Sequence, residues 1–356
     1  MKQRLLLILA AAASNFAVAQ KIDLDKNFVA YQYRGLPHKS LDTTYRTFNV
    51  RVEAPSTISS AMSSESIADR IILQGWRKVE YGKGHIQINM AFDDLIFEGQ
   101  NMSTRVSETK NKDGVVTART NYYSLTVKYR LRGYYSIRDF NGNTIANQIE
   151  LNTDRSASWT SSEYTSQYEC QNYFNNNRMA ISNNLVRKHL DEWTNSVNLS
   201  INRDYGFPTL TENALFWNTD SKKHPENAAF NQTITKIKEI GKTMYSHEMP
   251  ASAVSGLEEC ITYFNELKTK YSGDDKANVK LRYAAYYNIA QICFMLDKPE
   301  LALAEADGLE KNEYDVKDAE KLRKEANEMI DLFKQNRVHS THFQIDTNKF
   351  KTPSGM

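Results

Sequence analysis

Few residues in this chain of 356 are grouped as chemistry requires. Asp93 and Asp94, adjacent in "AFDDL", have the types needed for acid–base work or for holding a cation. Neighbouring strand residues point to opposite faces, so on a regular strand the two cannot share one site. A solvated strand end is the expectation. His339 and His342 in "RVHSTHF" are spaced to ligate one metal if helical. A zinc site takes at least three protein ligands, and no third follows nearby. Gly82 and Gly84 in "YGKG" read as a tight turn rather than a phosphate cradle. The nucleophile elbow Gly-x-Ser-x-Gly, the phosphate loop of nucleotide hydrolases and His-Glu-x-x-His do not occur. The expectation is no catalytic residue, no cofactor and no metal.

Other groupings suit binding better than catalysis. Lys128, Arg130, Arg132 and Arg138 alternate with apolar residues in "SLTVKYRLRGYYSIRD". They read either as a basic face for an acidic partner, a glycan or lipid headgroups, or as the solvated side of a half-buried sheet. The chain has 20 tyrosines, several of them in the same region. Tyrosine suits carbohydrate stacking and protein interfaces, and strands favour it for its own sake. Cys260 and Cys293 fall on neighbouring helical segments. A disulfide between them is one reading, and two buried free thiols acting as small apolar residues is the preferred one.

Composition bounds these readings. Hydrophobic residues make up 40% and charged residues 25%, so a packed core is expected over disorder. A net charge of +2 argues against a protein held mainly by nucleic acid. Residues 1–19 read as a bacterial signal peptide, with "MKQR" as its basic start, "LLLILAAAA" as its apolar stretch and "AVAQ" as the cleavage region. The apolar run is half the roughly 20 residues a spanning helix needs. No later stretch is long and apolar enough to span, so the mature chain is expected in the periplasm or outside the cell. Three cysteines, the first at Cys170, exclude a disulfide-stapled fold and an N-terminal lipid anchor.

The elements that must position these residues change character along the chain. Residues 20–210 read as a mixed α/β domain. "YRTFNVRVEAP" and "HIQINMAFDDL" alternate as strands, while "SSESIADRIILQGW" has helical spacing, with Ser63 or Ser64 as cap and Gly75 as stop. Residues 124–139 read as one long strand with a possible bulge at Gly133, and hairpins are expected at Asp113-Gly114 and Asn141-Gly142. A helix from about 164 to 197 follows, with a possible break in the asparagine-rich "QNYFNNN". Residues 211–227 read as a linker, 228–337 as helices and 338–356 as a flexible tail. The fold class is α+β.

The helical part carries an internal repeat. Placing "YSHEMPASAVSGL" under "FMLDKPELALAEA" puts Pro250 under Pro299, a shift of 299 − 250 = 49. At that shift Gly241 meets Ala290 and Ala253 meets Ala302. Stacked helical hairpins leave such a signature. The spacing resembles the tetratricopeptide repeat, in which a small residue on the first helix meets another about twelve positions later on the second. The resemblance assigns packing roles to Gly241 with Ala253 and to Ala290 with Ala302, puts Pro250 and Pro299 in the first turn of each second helix, and implies a protein-binding scaffold. The period exceeds the family's roughly 34 residues, so longer helices or connections are expected. Residues 318–336 then read as a closing amphipathic helix.

The earlier part, through "YRTFNV", "LQGWRKV", "IQINMAFDD" and the D-x-N-G hairpin, resembles the α/β domains of curli-secretion-type lipoproteins and the amino-terminal domain of TolB. Together these readings describe an exported, non-catalytic envelope protein that binds another envelope protein, in secretion or outer-membrane maintenance. The alternatives are a periplasmic hydrolase or glycan-acting enzyme, and a glycan binder using the tyrosine-rich sheet.

Overall fold

The computed structural model describes residues 22–39, 41–151 and 157–353. The expected signal peptide, residues 1–19, lies outside them. The chain runs β1 (Leu24–Arg34), β2 (Thr47–Glu53), α1 (Ser56–Ser59), α2 (Ser64–Asp69), β3 (Arg77–Lys78), β4 (Ile86–Phe92), β5 (Ile96–Lys110), β6 (Val116–Arg130), β7 (Gly133–Asp139), β8 (Thr144–Glu150) and β9 (Ala157–Thr160). It continues through α3 (Gln167–Tyr205), β10 (Thr209–Thr219), α4 (Asn227–Gly241), α5 (Ala251–Lys270), α6 (Lys276–Met295), α7 (Pro299–Lys311) and α8 (Val316–Asn336). The class is α+β, with strands mainly early and helices late.

Two compact units emerge. One takes the chain up to residue 40 and again from 208 to 345, and the other takes residues 41–207 and those from 346 on. The expected linker is instead largely strand. β10 pairs antiparallel with β1 along its whole length, from Leu24 opposite Thr219 to Arg34 opposite Thr209. β1 therefore belongs with the helices and not with the α/β domain assigned to residues 20–210. Alternation supports this, since Ala214 and Phe216 of β10 are buried with Val29 of β1.

In the helical unit α4 packs on α5, α5 on α6, α6 on α7 and α7 on α8, and the β1–β10 ribbon lies on α4 and α6. The buried Asn288 side chain fastens the ribbon. It accepts from the Trp217 N–H and donates to the Trp217 carbonyl, both at 2.8 Å. Pro299 opens α7 at its first turn, where its missing N–H is harmless. Pro250 sits one step earlier than expected, as the extended cap before α5. Ala253, Ala290 and Ala302 are buried. Gly241 serves a different contact from the one expected: a Cβ there would lie 2.7 Å from the Ala30 carbonyl oxygen of β1. The close approach between α4 and α5 falls at Gly256, where a Cβ would meet Ile240 at 2.8 Å.

Residues 338–345, expected as part of a loose tail, are instead held in place. The Arg34 N–H donates to the Thr341 carbonyl at 2.8 Å, and the Phe343 N–H to the Ser246 carbonyl at 3.2 Å. Thr341 is buried. Backbone donors and acceptors left by the end of β1 and by the loop after α4 are satisfied by this stretch.

The other unit has a five-stranded sheet in the order β3-β2-β4-β7-β8 and a three-stranded sheet in the order β5-β6-β9. β2 runs parallel to β3 and β4, while β4–β7 and β7–β8 are antiparallel. The expected single strand over residues 124–139 is two strands, β6 and β7, in different sheets. Alternation is uninterrupted because Leu131, in the crossing, is buried like Tyr129 and Tyr135, so pattern alone cannot show the change of sheet. The hairpins at Gly114 and Gly142 form.

α3 covers the apolar sides. Its Trp193 stacks on Phe92 of β4, with ring centroids 5.6 Å apart and planes 8° from parallel, and Ser200 meets the Tyr135 hydroxyl at 2.8 Å. The helix is unbroken through "QNYFNNN". Phe174 inside that stretch is buried between Phe97 and Trp159, and this packing outweighs the weak helix propensity of asparagine. The helix expected over residues 63–75 stops at Asp69. Beyond it, Asn198 accepts from the Ile72 N–H and donates to the Arg70 carbonyl, and Asn202 does the same with the Gln74 N–H and the Ile72 carbonyl. Two side chains one turn apart on α3 thus satisfy the backbone of residues 70–74 as a neighbouring strand would.

Candidate functional site

The residues that could do chemistry are not gathered into one site. The Asp93 N–H donates to the Arg132 carbonyl at 3.0 Å, and the Asp94 carboxylate accepts from the Thr57 hydroxyl at 2.7 Å. Each has a separate role at the exposed end of β4. His342 donates from Nδ1 to the Tyr245 carbonyl at 2.8 Å. Among the described residues no three His, Cys, Asp or Glu side chains are placed to hold a metal ion. Cys260 and Cys293 are both buried free thiols, so the bridge is not formed. Burial pushes their pKa values up, to about 11 for Cys260 and about 12 for Cys293.

The four basic residues do not share a face. Lys128 and Arg130 lie on β6, Arg138 lies on β7 in the other sheet, and Arg132 lies in the crossing between them. Arg130 pairs with Glu98 of the neighbouring strand at 3.3 Å.

The helical unit contains a cleft of about 670 Å³ between the β1–β10 ribbon and helices α6 and α8, with Thr341 on its wall. Tyr31 and Tyr33 of β1, Tyr287 and Phe294 of α6, and Met329 and Leu332 of α8 give it an aromatic and apolar lining. Phe28 at its edge is 61% exposed. Charged side chains of both signs interrupt this lining, Glu212, Glu325 and Glu328 with Lys26, Arg34 and Lys321, and Lys321 pairs with Glu325 at 3.7 Å. Burial pushes the Glu325 carboxyl above the usual carboxylate range, the ammonium of Lys321 pulls it back in part, and nearby Glu212 adds to the rise. Burial, with Glu212 as the next contributor, keeps the Tyr31 phenol protonated far above its ordinary range. A carboxylate held beside another carboxylate among aromatic rings is a place where a ligand cation would be favoured.

The sheet unit contains a second cleft, of about 590 Å³, on the face of the five-stranded sheet that carries Asn49, Gln87 and Arg138. The opposite face, with Ile88, Met90 and Phe92, is buried. Gly82, Gly84 and Tyr81 border the polar face, which gives the "YGKG" turn a position at a cleft rim. Asn49 is 2% exposed, and its Oδ1 is buried without a hydrogen-bond partner among the described residues.

Neither cleft was visible as a motif. The ribbon–helix cleft is made by strands some 175 residues apart in sequence and by a segment read as tail. The sheet cleft left a fainter trace, the polar positions of "FNVRVE" and "IQINMA" that alternate with buried ones. No known family model matches the chain, and none of the curated protein sequences matches it. Among solved structures, a crystal structure of a minor lipoprotein from Acinetobacter baumannii aligns at 11% identity with a TM-score of 0.18, over 47% of this chain and 98% of its own. The functional readings therefore rest on the two clefts.

Proposed function

We propose that this chain is an exported bacterial envelope protein that performs no chemistry of its own. It binds an extended segment of another envelope protein in the ribbon–helix cleft, on a scaffold of stacked helical hairpins of the tetratricopeptide kind. The cleft carries the reading: its aromatic lining supplies the rigid apolar anchors typical of binding hot spots, and Glu212 and Glu325 favour a segment with a basic residue next to apolar ones. The first twenty residues, with their basic start and short apolar stretch, support export. Among the described residues no helix is long and apolar enough to cross a membrane.

The test is site-specific photo-crosslinking in living cells, with the photoreactive residue at Phe28 in one strain and at Lys128 in another. The expected result is one envelope protein crosslinked at position 28 and not at 128, through a segment combining apolar and basic residues. Glu325→Lys should abolish that crosslink. An unchanged crosslink in Glu325→Lys, or no crosslink at position 28, overturns the reading.

A further inference from the structure

The open face of the five-stranded sheet is a lattice of polar side chains. Strand register sets Asn49 beside Gln87 and Gln87 beside Arg138. In the next row it sets Arg51 beside Asn89 and Asn89 beside Ser136. All six side chains are polar, and they line one cleft. Protein interfaces are anchored on buried apolar and aromatic groups, and these two rows offer none.

The acidic groups nearby are already engaged. Glu53 pairs with Arg51 at 3.0 Å. Asp139 accepts from the Asn141 and Asn143 N–H groups and holds the turn to β8. Gln87 donates to Asn89 at 2.6 Å, which orients that pair. Arg138 forms no ion pair among the described residues, although a guanidinium is shaped to hold a carboxylate. Asn49 Oδ1 is a buried acceptor without a donor among the described residues. At the rim, Tyr81 is 58% exposed, with the Arg51 guanidinium 5.6 Å from its ring centre.

The geometry points to a binding site for an acidic oligosaccharide, a short chain of sugar rings bearing carboxylates. Sugar hydroxyls both donate and accept, which matches a floor of amides and hydroxyls. A sugar carboxylate takes Arg138, and the exposed Tyr81 ring gives a surface on which the apolar side of a sugar ring packs. Nucleic acid is disfavoured by a net charge of only +2. This site stands independently of the protein-binding cleft, because every residue in it belongs to the sheet unit.

Calorimetric titration of the purified mature protein with a galacturonate oligomer and with a neutral glucan oligomer of equal length tests it. The acidic oligomer should bind at least tenfold more tightly. Arg138→Gln should weaken it tenfold or more, and Gln87→Ala several-fold, while Lys128→Gln, an equal charge change on the other sheet, should leave it unaltered. Should Arg138→Gln unfold, Gln87→Ala and Ser136→Ala carry the test. The assignment is overturned by failure of the acidic oligomer to bind, by equal affinity for both oligomers, by wild-type affinity in the folded cleft variants, or by equal losses in Arg138→Gln and Lys128→Gln.

Discussion

The carboxylate of Asp297 accepts from both donors of Thr341, the backbone N–H at 2.8 Å and the hydroxyl at 2.7 Å. Asp297 itself is left-handed, with φ of 57°, and it ends the turn between α6 and α7. A residue in an uncommon conformation thereby ties down a segment 44 residues further on, which supplies part of the cleft wall. Thr341→Val removes one of the bonds and should cost about 1 kcal/mol, whereas Asp297→Ala strands several donors and should cost about 1–3 kcal/mol. Urea unfolding of both variants measures this. The reverse order would mean that the Asp297 carboxylate is not what holds the segment.

Trp193 should be the most sensitive position on α3. Its ring stacks on Phe92 and is 3% exposed. Replacement by alanine removes a large buried group from a packed interface and should cost about 3–5 kcal/mol. Trp193→Phe should recover part of that. Equilibrium unfolding with near-ultraviolet circular dichroism provides the measurement. Near-native stability in Trp193→Ala would mean that the α3–sheet interface is fastened elsewhere.

Glu226 predicts an acid dependence. Burial alone would raise its carboxyl, but hydrogen bonds from Lys270 at 2.6 Å and Tyr271 at 3.0 Å outweigh it and hold the group below its ordinary pKa of 4.5. A depressed native pKa gives stability that is present above 4.5 and lost as pH falls from there through the lower native value. Glu226→Gln should lower stability at neutral pH and flatten the fall below pH 4.5. Chemical denaturation at several pH values compares the slopes, and identical slopes in both proteins would remove Glu226 from the account.

The cysteines predict a labelling pattern. Cys170, Cys260 and Cys293 are all buried, and for Cys260 and Cys293 burial also disfavours the reactive thiolate. A thiol reagent should label none of the three in the native protein within minutes and all three once it is denatured in the absence of reductant. Only one thiol released on denaturation would mean that two cysteines are joined.

Residue patterns exposed the local structure well and the long-range structure poorly. Ser63 caps α2, Pro299 opens α7, and the glycine turns at Gly114 and Gly142 make hairpins, because each depends on a few adjacent residues. β10 went unread because its partner lies across the whole sheet unit and prolines flank it. The β6–β7 crossing was hidden because alternation does not say which sheet a face belongs to. Asn198, Asn202 and Asn288 were invisible for another reason. Each uses its side-chain amide as a substitute for backbone, a role no spacing rule marks on a buried or half-buried asparagine. The polar lattice of the candidate glycan site was half legible, as alternation without an indication that the outer face was a cleft.

The pairing of β1 with β10 also sets an order of events during synthesis. β1 leaves the ribosome early, yet the strand it joins follows only after residues 41–207 have been made. At roughly 5–20 residues per second, that interval lasts on the order of ten seconds or more. The sheet unit has nearly its whole sequence in hand by then, whereas the helical unit still lacks both the second half of its ribbon and every helix. For that time Phe28, Tyr31 and Tyr33 belong to an edge without a partner, the kind of segment that invites association between nascent chains. A chain exported in the unfolded state would meet the same problem only once, on the far side of the membrane, after both strands are present.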